Sequence, residues 1–173
     1  MVTQEKKRQW LVLVWVIGAG LLALALYLYY GARATGNFGF PLDDSWIHMQ
    51  IARNLATGFG WSYNPGEPTG ASTTPLWVLV LALLHVAWPD GTDTAAKVVG
   101  SLLYLADLTL ITLLAWRVSE DWRVALVAGT LAAWQPAFVW GALSGMETPF
   151  YLLLILLGLH SLLRAELPAV RNA

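Results

Sequence analysis

The sequence contains no cysteine, so no disulfide can hold the fold together and cysteine usage says nothing about redox compartment. Charge is also scarce: Asp, Glu, Lys and Arg make up 12% of residues, about half the soluble-domain norm of about 25%. The formal net charge is −1, which gives no electrostatic basis for binding nucleic acid. In place of charge stand 57% hydrophobic residues, ten tryptophans and a mean hydropathy of +0.57. This is the composition of an integral membrane protein. A length of 173 residues suits about four membrane spans rather than a soluble core with an anchor.

Residues 1–9 carry Lys6, Lys7 and Arg8, and residues 10–30 follow without a charge. About 20 apolar residues cross a bilayer as a helix, and Trp10 with Tyr27, Tyr29 and Tyr30 mark its two interfaces. Ala32-Arg33-Ala34 has the small-x-small form of a cleavage site, but the apolar core exceeds the roughly 7–15 residues of a signal peptide, so an uncleaved anchor is expected. Residues 76–88 form an apolar run too short to span, the length of an interfacial or re-entrant helix. Residues 98–116 are long enough to span but contain Asp107. Residues 117–123 are a charged turn, 124–143 a third span kinked at Pro136, 144–149 a polar break, 150–163 a short fourth span and 164–173 a tail. The expected fold class is all-α and polytopic, with about four transmembrane helices and two juxtamembrane helices in the loop 31–97.

Positive charge orients these segments. If 76–88 does not cross, Lys6, Lys7, Arg8, Arg117, Arg123, Arg164 and Arg171 share one side, against Arg33, Arg53 and Lys97 on the other. The positive-inside rule then places the N-terminus, residues 117–123 and the tail in the cytoplasm of a multi-pass protein of the cell membrane. It places Asp43, Asp44 and Glu147 together outside, where two polar loops distant in sequence can converge.

The chain is organised around Pro41–Pro75, a polar stretch between hydrophobic segments. Residues 45–57 read as a helix lying in the interface, with Gln50, Arg53, Asn54 and Thr57 in one polar sector and His48 in the middle of the apolar face. Asp43 and Asp44 open it. One Asp suffices to cap a helix, and a second adds repulsion; desolvation at a bilayer surface raises a carboxylate's pKa and suits it to general-base work. Spacing alone leaves capping and catalysis both open. His48 and Arg53 are candidates to face a phosphate, against ordinary readings as a packed histidine and a snorkelling arginine. Asn64-Pro65-Gly66 and Pro68-Thr69-Gly70 are turn signals, so the segment holding Trp61, Tyr63 and Asn64 is either a solvated connector or a surface for stacking and bonding a sugar or a lipid.

Asp-Asp-Ser-Trp at 43–46, Ala-Arg-Asn-Leu at 52–55, Tyr-Asn-Pro-Gly-Glu at 63–67, Ser-Thr-Thr-Pro-Leu-Trp at 72–77 and Ser-Gly-Met-Glu-Thr at 144–148 occur in that order. Over roughly residues 10–163 this resembles the N-terminal part of the GT-C glycosyltransferases, membrane enzymes that use polyprenyl-phosphate sugars, and most of all the mannosyltransferase-like and arabinofuranosyltransferase-like bacterial members. The resemblance implies transfer of a sugar, with inversion, from a polyprenyl-phosphate donor to a hydroxyl of a glycan, lipid or protein acceptor outside the cytoplasm. It makes Asp43 the base, with Asp44 and Glu147 beside it, and His48, Arg53, Trp61, Tyr63 and Asn64 substrate-binding candidates. The resemblance makes no cofactor certain. A divalent metal stays open, because three acids can hold one and lipid-phosphate donors do not need one. Family members run to several hundred residues, so this chain is expected to be a fragment, a truncated reading frame or one part of an enzyme completed by a second chain. Two other classes stand beside this one: a non-catalytic membrane subunit, and a small transporter using Asp107. An acid within a span is a functional candidate by default, although an Asp bonded to a neighbouring helix near Thr109 or Thr112 is the plainer expectation.

Overall fold

The computed structural model describes residues 2–36 and 39–171, with side chains described over 4–34, 36 and 39–164. Among these residues the regular structure is helical: α1 (Val2–Thr35), α2 (Asp43–Ala56), α3 (Pro75–Ala87), a single 3-10 turn at Pro89–Gly91, α4 (Thr92–Ser119), α5 (Trp122–Ala133), α6 (Pro136–Leu143) and α7 (Thr148–Arg171). The described residues contain no strand, only one isolated bridge between Ser62 and Pro68.

Two stretches, Gln4–Ala34 and Pro89–Ser119, are long and apolar enough to cross a membrane; each has 31 residues, and at about 1.5 Å per residue each exceeds the roughly 30 Å hydrocarbon core. The expected third span is broken. Helices α5 and α6 pass the same test only as a pair and are bent by 54°. Pro136 causes the break: its ring excludes the helical carbonyl four residues back, and it drives Gln135 to an extended ψ of 112°. Tyr104 of α4 donates its hydroxyl to Ala133 O at 2.6 Å, satisfying one of the carbonyls the break leaves open. The apolar part of α7, Thr148–Arg164, falls short of the 18 residues required of a span, so two spans are clear, three if the bent pair counts as one, and four are an expectation only. With its 13 residues α3 rises only about 20 Å, less than the bilayer core.

Large apolar side chains lie exposed along the long helices, among them Trp10, Leu11 and Trp15 on α1, Leu102 on α4 and Leu154, Ile155 and Leu162 on α7. A water-soluble chain rarely leaves patches of that size open, whereas lipid accepts them without cost. The chain is a membrane protein by this criterion. Small residues bring its helices together. A Cβ on Gly100 of α4 would strike the Ala142 carbonyl of α6, and one on Gly129 of α5 would strike Thr112 of α4 and Val16 of α1. Glycine at such crossings lets backbones approach closely, the usual basis of helix association in lipid.

The buried residues form two cores. One joins α1, α4, α5 and α6 around Val16, Leu24, Tyr104, Leu108 and Val139. The other joins α2 and α3 to the first turns of α4 through Phe40, Ile51, Trp77, Val78, Leu81 and Ala96, and Phe150 of α7 packs against it. The α2–α3 pair therefore sits at the end of the bundle where α4 and α7 begin.

The chain is naturally free of cysteine, which gives labelling a clean background. Asn64, Asp90 and Ser119 are all exposed. Single cysteines at Asn64 and Asp90 are expected to react with a membrane-impermeant maleimide in intact cells, and a cysteine at Ser119 only after permeabilisation. Reaction at Ser119 with protection at Asn64 and Asp90 would contradict the orientation expected from the positive charges.

Candidate functional site

The site is built where the turn between α6 and α7 docks on α2 and α3. Ser45, fully buried on α2, donates to Ser144 O at 2.7 Å. Trp77 of α3, equally buried, donates its indole N–H to Gly145 O at 2.9 Å. These two bonds satisfy carbonyls at the C-terminal end of α6 that would otherwise be buried without partners. Gly145 has φ +80, in the left-handed region, and a Cβ there would lie 2.5 Å from the Phe40 ring, so both the turn and its close packing depend on glycine. Ser144 Oγ receives the Met146 amide at 3.2 Å and holds the turn from inside.

This docking carries Glu147 to His48. Glu147 Oε2 lies 3.9 Å from His48 Nε2, beyond hydrogen-bond reach, and it is buried with no partner among the described residues. The His48 ring is 3% exposed and is contacted by Ser72 Oγ at Nδ1, 3.2 Å, and Thr74 Oγ1 at Nε2, 3.3 Å. With the proton on Nε2 the ring donates to Thr74 Oγ1, and Nδ1 accepts from Ser72 Oγ. Ser72 Oγ in turn receives the Thr74 amide at 3.3 Å. His48 is thus the node joining α2, the 72–74 segment and Glu147. The ring is buried and bonded on both nitrogens to hydroxyls of the 72–74 segment.

Asp43 and Asp44 lie within the first turn of α2, two residues earlier than the sequence reading starts the helix, and both are exposed. Neither aspartate is the N-cap: Leu42 occupies that position, and no side-chain cap bond is made there. Their negative charge still meets the positive end of the helix dipole. Among the described residues, no group of three or more His, Asp or Glu side chains could hold a metal ion. Asp43, Asp44 and Glu147 are therefore not gathered into a ligand set.

The other candidates are dispersed. Arg53 and Trp46 are exposed on the outward face of α2. Asn54, expected in the same polar sector, is buried instead, because its amide donates to Ser62 O at 2.9 Å and to Tyr63 O at 2.8 Å. It pins the segment that holds the remaining candidates. Trp61 packs against the α2–α3 core, Tyr63 is exposed, and Asn64 bonds Glu67 Oε2 at 3.1 Å across a turn in which Gly66 has φ +84. These three residues belong to the connector between α2 and α3. Asp107 is 1% exposed within α4, and its Oδ1 has no partner among the described residues. Thr109 and Thr112, the expected partners, donate to their own helix at Leu105 O and Leu108 O.

Sequence reading did not single out Ser45, Ser72, Thr74, Trp77 and Gly145 as structural partners. The one available signal was periodic: Ser45 lies three residues before His48, so both fall on the same helix face.

Comparison with protein-family models, with curated proteins and with solved structures finds no match for this chain.

Gly145→Ala is expected to destabilise the protein by about 1–3 kcal/mol from the left-handed backbone alone, and by about 1–3 kcal/mol more from overpacking against Phe40. Gly66→Ala is the matched comparison, since it shares the positive φ but has open space around it. Thermal unfolding of both variants in detergent separates the two contributions. Equal losses would mean that the Phe40 contact does not constrain the turn.

Proposed function

We propose that this chain is the N-terminal module of a membrane glycosyltransferase of the GT-C kind, acting outside the cytoplasm on a polyprenyl-phosphate sugar. Asp43 removes the proton from an acceptor hydroxyl as its oxygen attacks the anomeric carbon. The new C–O bond forms as the bond from that carbon to the phosphate oxygen breaks, and the electron pair leaves with the lipid phosphate. Asp44 orients the acceptor, and Glu147 meets them from the second outer loop. In this reading α1, α4, the bent α5–α6 pair and α7 are four spans, with α2 and α3 lying in the outer interface and the N-terminus in the cytoplasm.

The observation that carries the reading is the docked 144–147 turn. It brings a half-buried glutamate, whose Oε2 is buried without a hydrogen bond, to the helix whose first turn holds two adjacent exposed aspartates. The family-like order of motifs around these acids supports the same assignment. A second reading, a small transporter, is favoured by Asp107 alone, an unbonded carboxylate oxygen inside a candidate span.

General-base removal typically lowers a rate by about 10²–10⁴-fold. In the complete enzyme, Asp43→Asn is expected to lose transfer by that order while membrane insertion and helix content are unchanged, because asparagine keeps the size of aspartate. Transfer at the wild-type rate in Asp43→Asn would refute the assignment. Loss of ion or solute flux in Asp107→Asn, with no sugar transfer detectable in the parent, would establish the transporter instead.

A further inference from the structure

The outward face of α2, away from His48, borders an open cavity of about 520 Å³. Trp46, Gln50, Arg53 and Thr57, at helical spacing, form one wall. The corner where α3 ends and α4 begins supplies His85, Pro89, Asp90, Thr92 and Asp93 as the other. The size is within the roughly 300–1,000 Å³ typical of small-ligand sites.

The chemistry of the walls selects the ligand. Arg53 stands on one side, Asp90 and Asp93 on the other; among the described residues none of the three makes a salt bridge within 4.0 Å, and Asp93 feels the charge of Lys97 one turn further along α4. An anion drawn to Arg53 would meet two carboxylates, and a cation drawn to those would meet the guanidinium. No group of three or more His, Asp or Glu side chains suits a metal there. A neutral ligand that both donates and accepts hydrogen bonds avoids both penalties. His85 Nδ1 is engaged by Thr92 Oγ1 at 2.9 Å, leaving Nε2 free to bond. Gln50 spends its amide hydrogens on Tyr63 O and Asn54 Oδ1, leaving its carbonyl oxygen as an acceptor.

Trp46 supplies the apolar element. Its indole is 47% exposed, while its N–H is bound to Phe40 O at 3.3 Å and its ring rests 5.2 Å from that of Phe40. The ring is therefore held in place with its polar atom satisfied, a pre-set platform for the C–H face of a sugar. We propose that this cleft binds a neutral saccharide, between the Trp46 platform and the carboxylates of Asp90 and Asp93, and so makes the acceptor a glycan. The acceptor assignment rests on the transferase reading above; saccharide binding itself does not.

The test uses the full chain in nanodiscs and saturation-transfer NMR with a panel of methyl mannoside, methyl glucoside, methyl arabinofuranoside and their disaccharides. At least one is expected to bind saturably, with Trp46→Leu, Arg53→Gln and Asp90→Asn each weakening it tenfold or more, while circular dichroism shows the helices intact. Absence of binding across the panel overturns the proposal, as does binding indifferent to all three substitutions. Glycerol phosphate is the competing probe: if it binds, and Asp90→Asn and Asp93→Asn tighten it, the cleft is an anionic headgroup site instead. Saccharide binding without any transfer would sink the transferase reading and the acceptor assignment with it, and leave saccharide binding standing. Asp43-dependent transfer whose acceptor KM ignores Trp46→Leu and Asp90→Asn would sink only this one.

Discussion

Two backbone carbonyls, those of Ser144 and Gly145, are held by buried side chains that come from 99 and 68 residues earlier in the chain. The arrangement at this end of the molecule depends on that interaction. A buried carbonyl left without a donor costs about 1–3 kcal/mol, so Ser45 and Trp77 fix the turn against α2 and α3 as well as decorate it. The turn fixes where α7 begins, and Phe150 on the first turns of α7 then packs over the Trp77 ring, with centroids 6.2 Å apart. Glu147 lies between these anchors, and its position beside His48 follows from them.

The membrane environment explains the rest of the architecture. Without water as a competing partner, broken helices must satisfy their open backbone groups internally, and Tyr104 does this at the Pro136 break. Without a hydrophobic force between helices, close approach through Gly100 and Gly129 supplies the packing instead. The same reasoning separates the short α3 from the long helices. Trp77, Val78 and Leu81 on α3 are buried against α2, while Leu79, Leu83 and Val86 remain exposed, as expected of a helix lying between protein and lipid.

Much of the helical plan was legible in the sequence, because uncharged runs and turn residues report directly on it. The apolar runs at 10–30 and 98–116 lie inside α1 and α4, and the 76–88 run matches α3 to within one residue. The Pro136 kink was legible in place but not in degree, since the bend depends on how neighbouring helices receive the two halves. Periodicity failed at Asn54, a polar residue drawn inward by two loop carbonyls that no helical pattern can anticipate. Asp43 and Asp44, which spacing left open between capping and catalysis, sit one and two residues past the N-cap Leu42. Of the site, the meeting of the 43–46 and 144–148 segments was anticipated from charge topology, whereas the hydroxyls that orient His48 come from a loop whose composition marks only a turn.

The most direct test of this account is a distance. Asp44 and Thr148 are both exposed and flank the docked turn on its two sides. Spin labels on cysteines at these positions, measured by double electron–electron resonance in nanodiscs, are expected to give a narrow distribution well below the hydrocarbon thickness of about 30 Å. A distance at or above that thickness would place the two loops on opposite faces of the membrane, and would contradict the account.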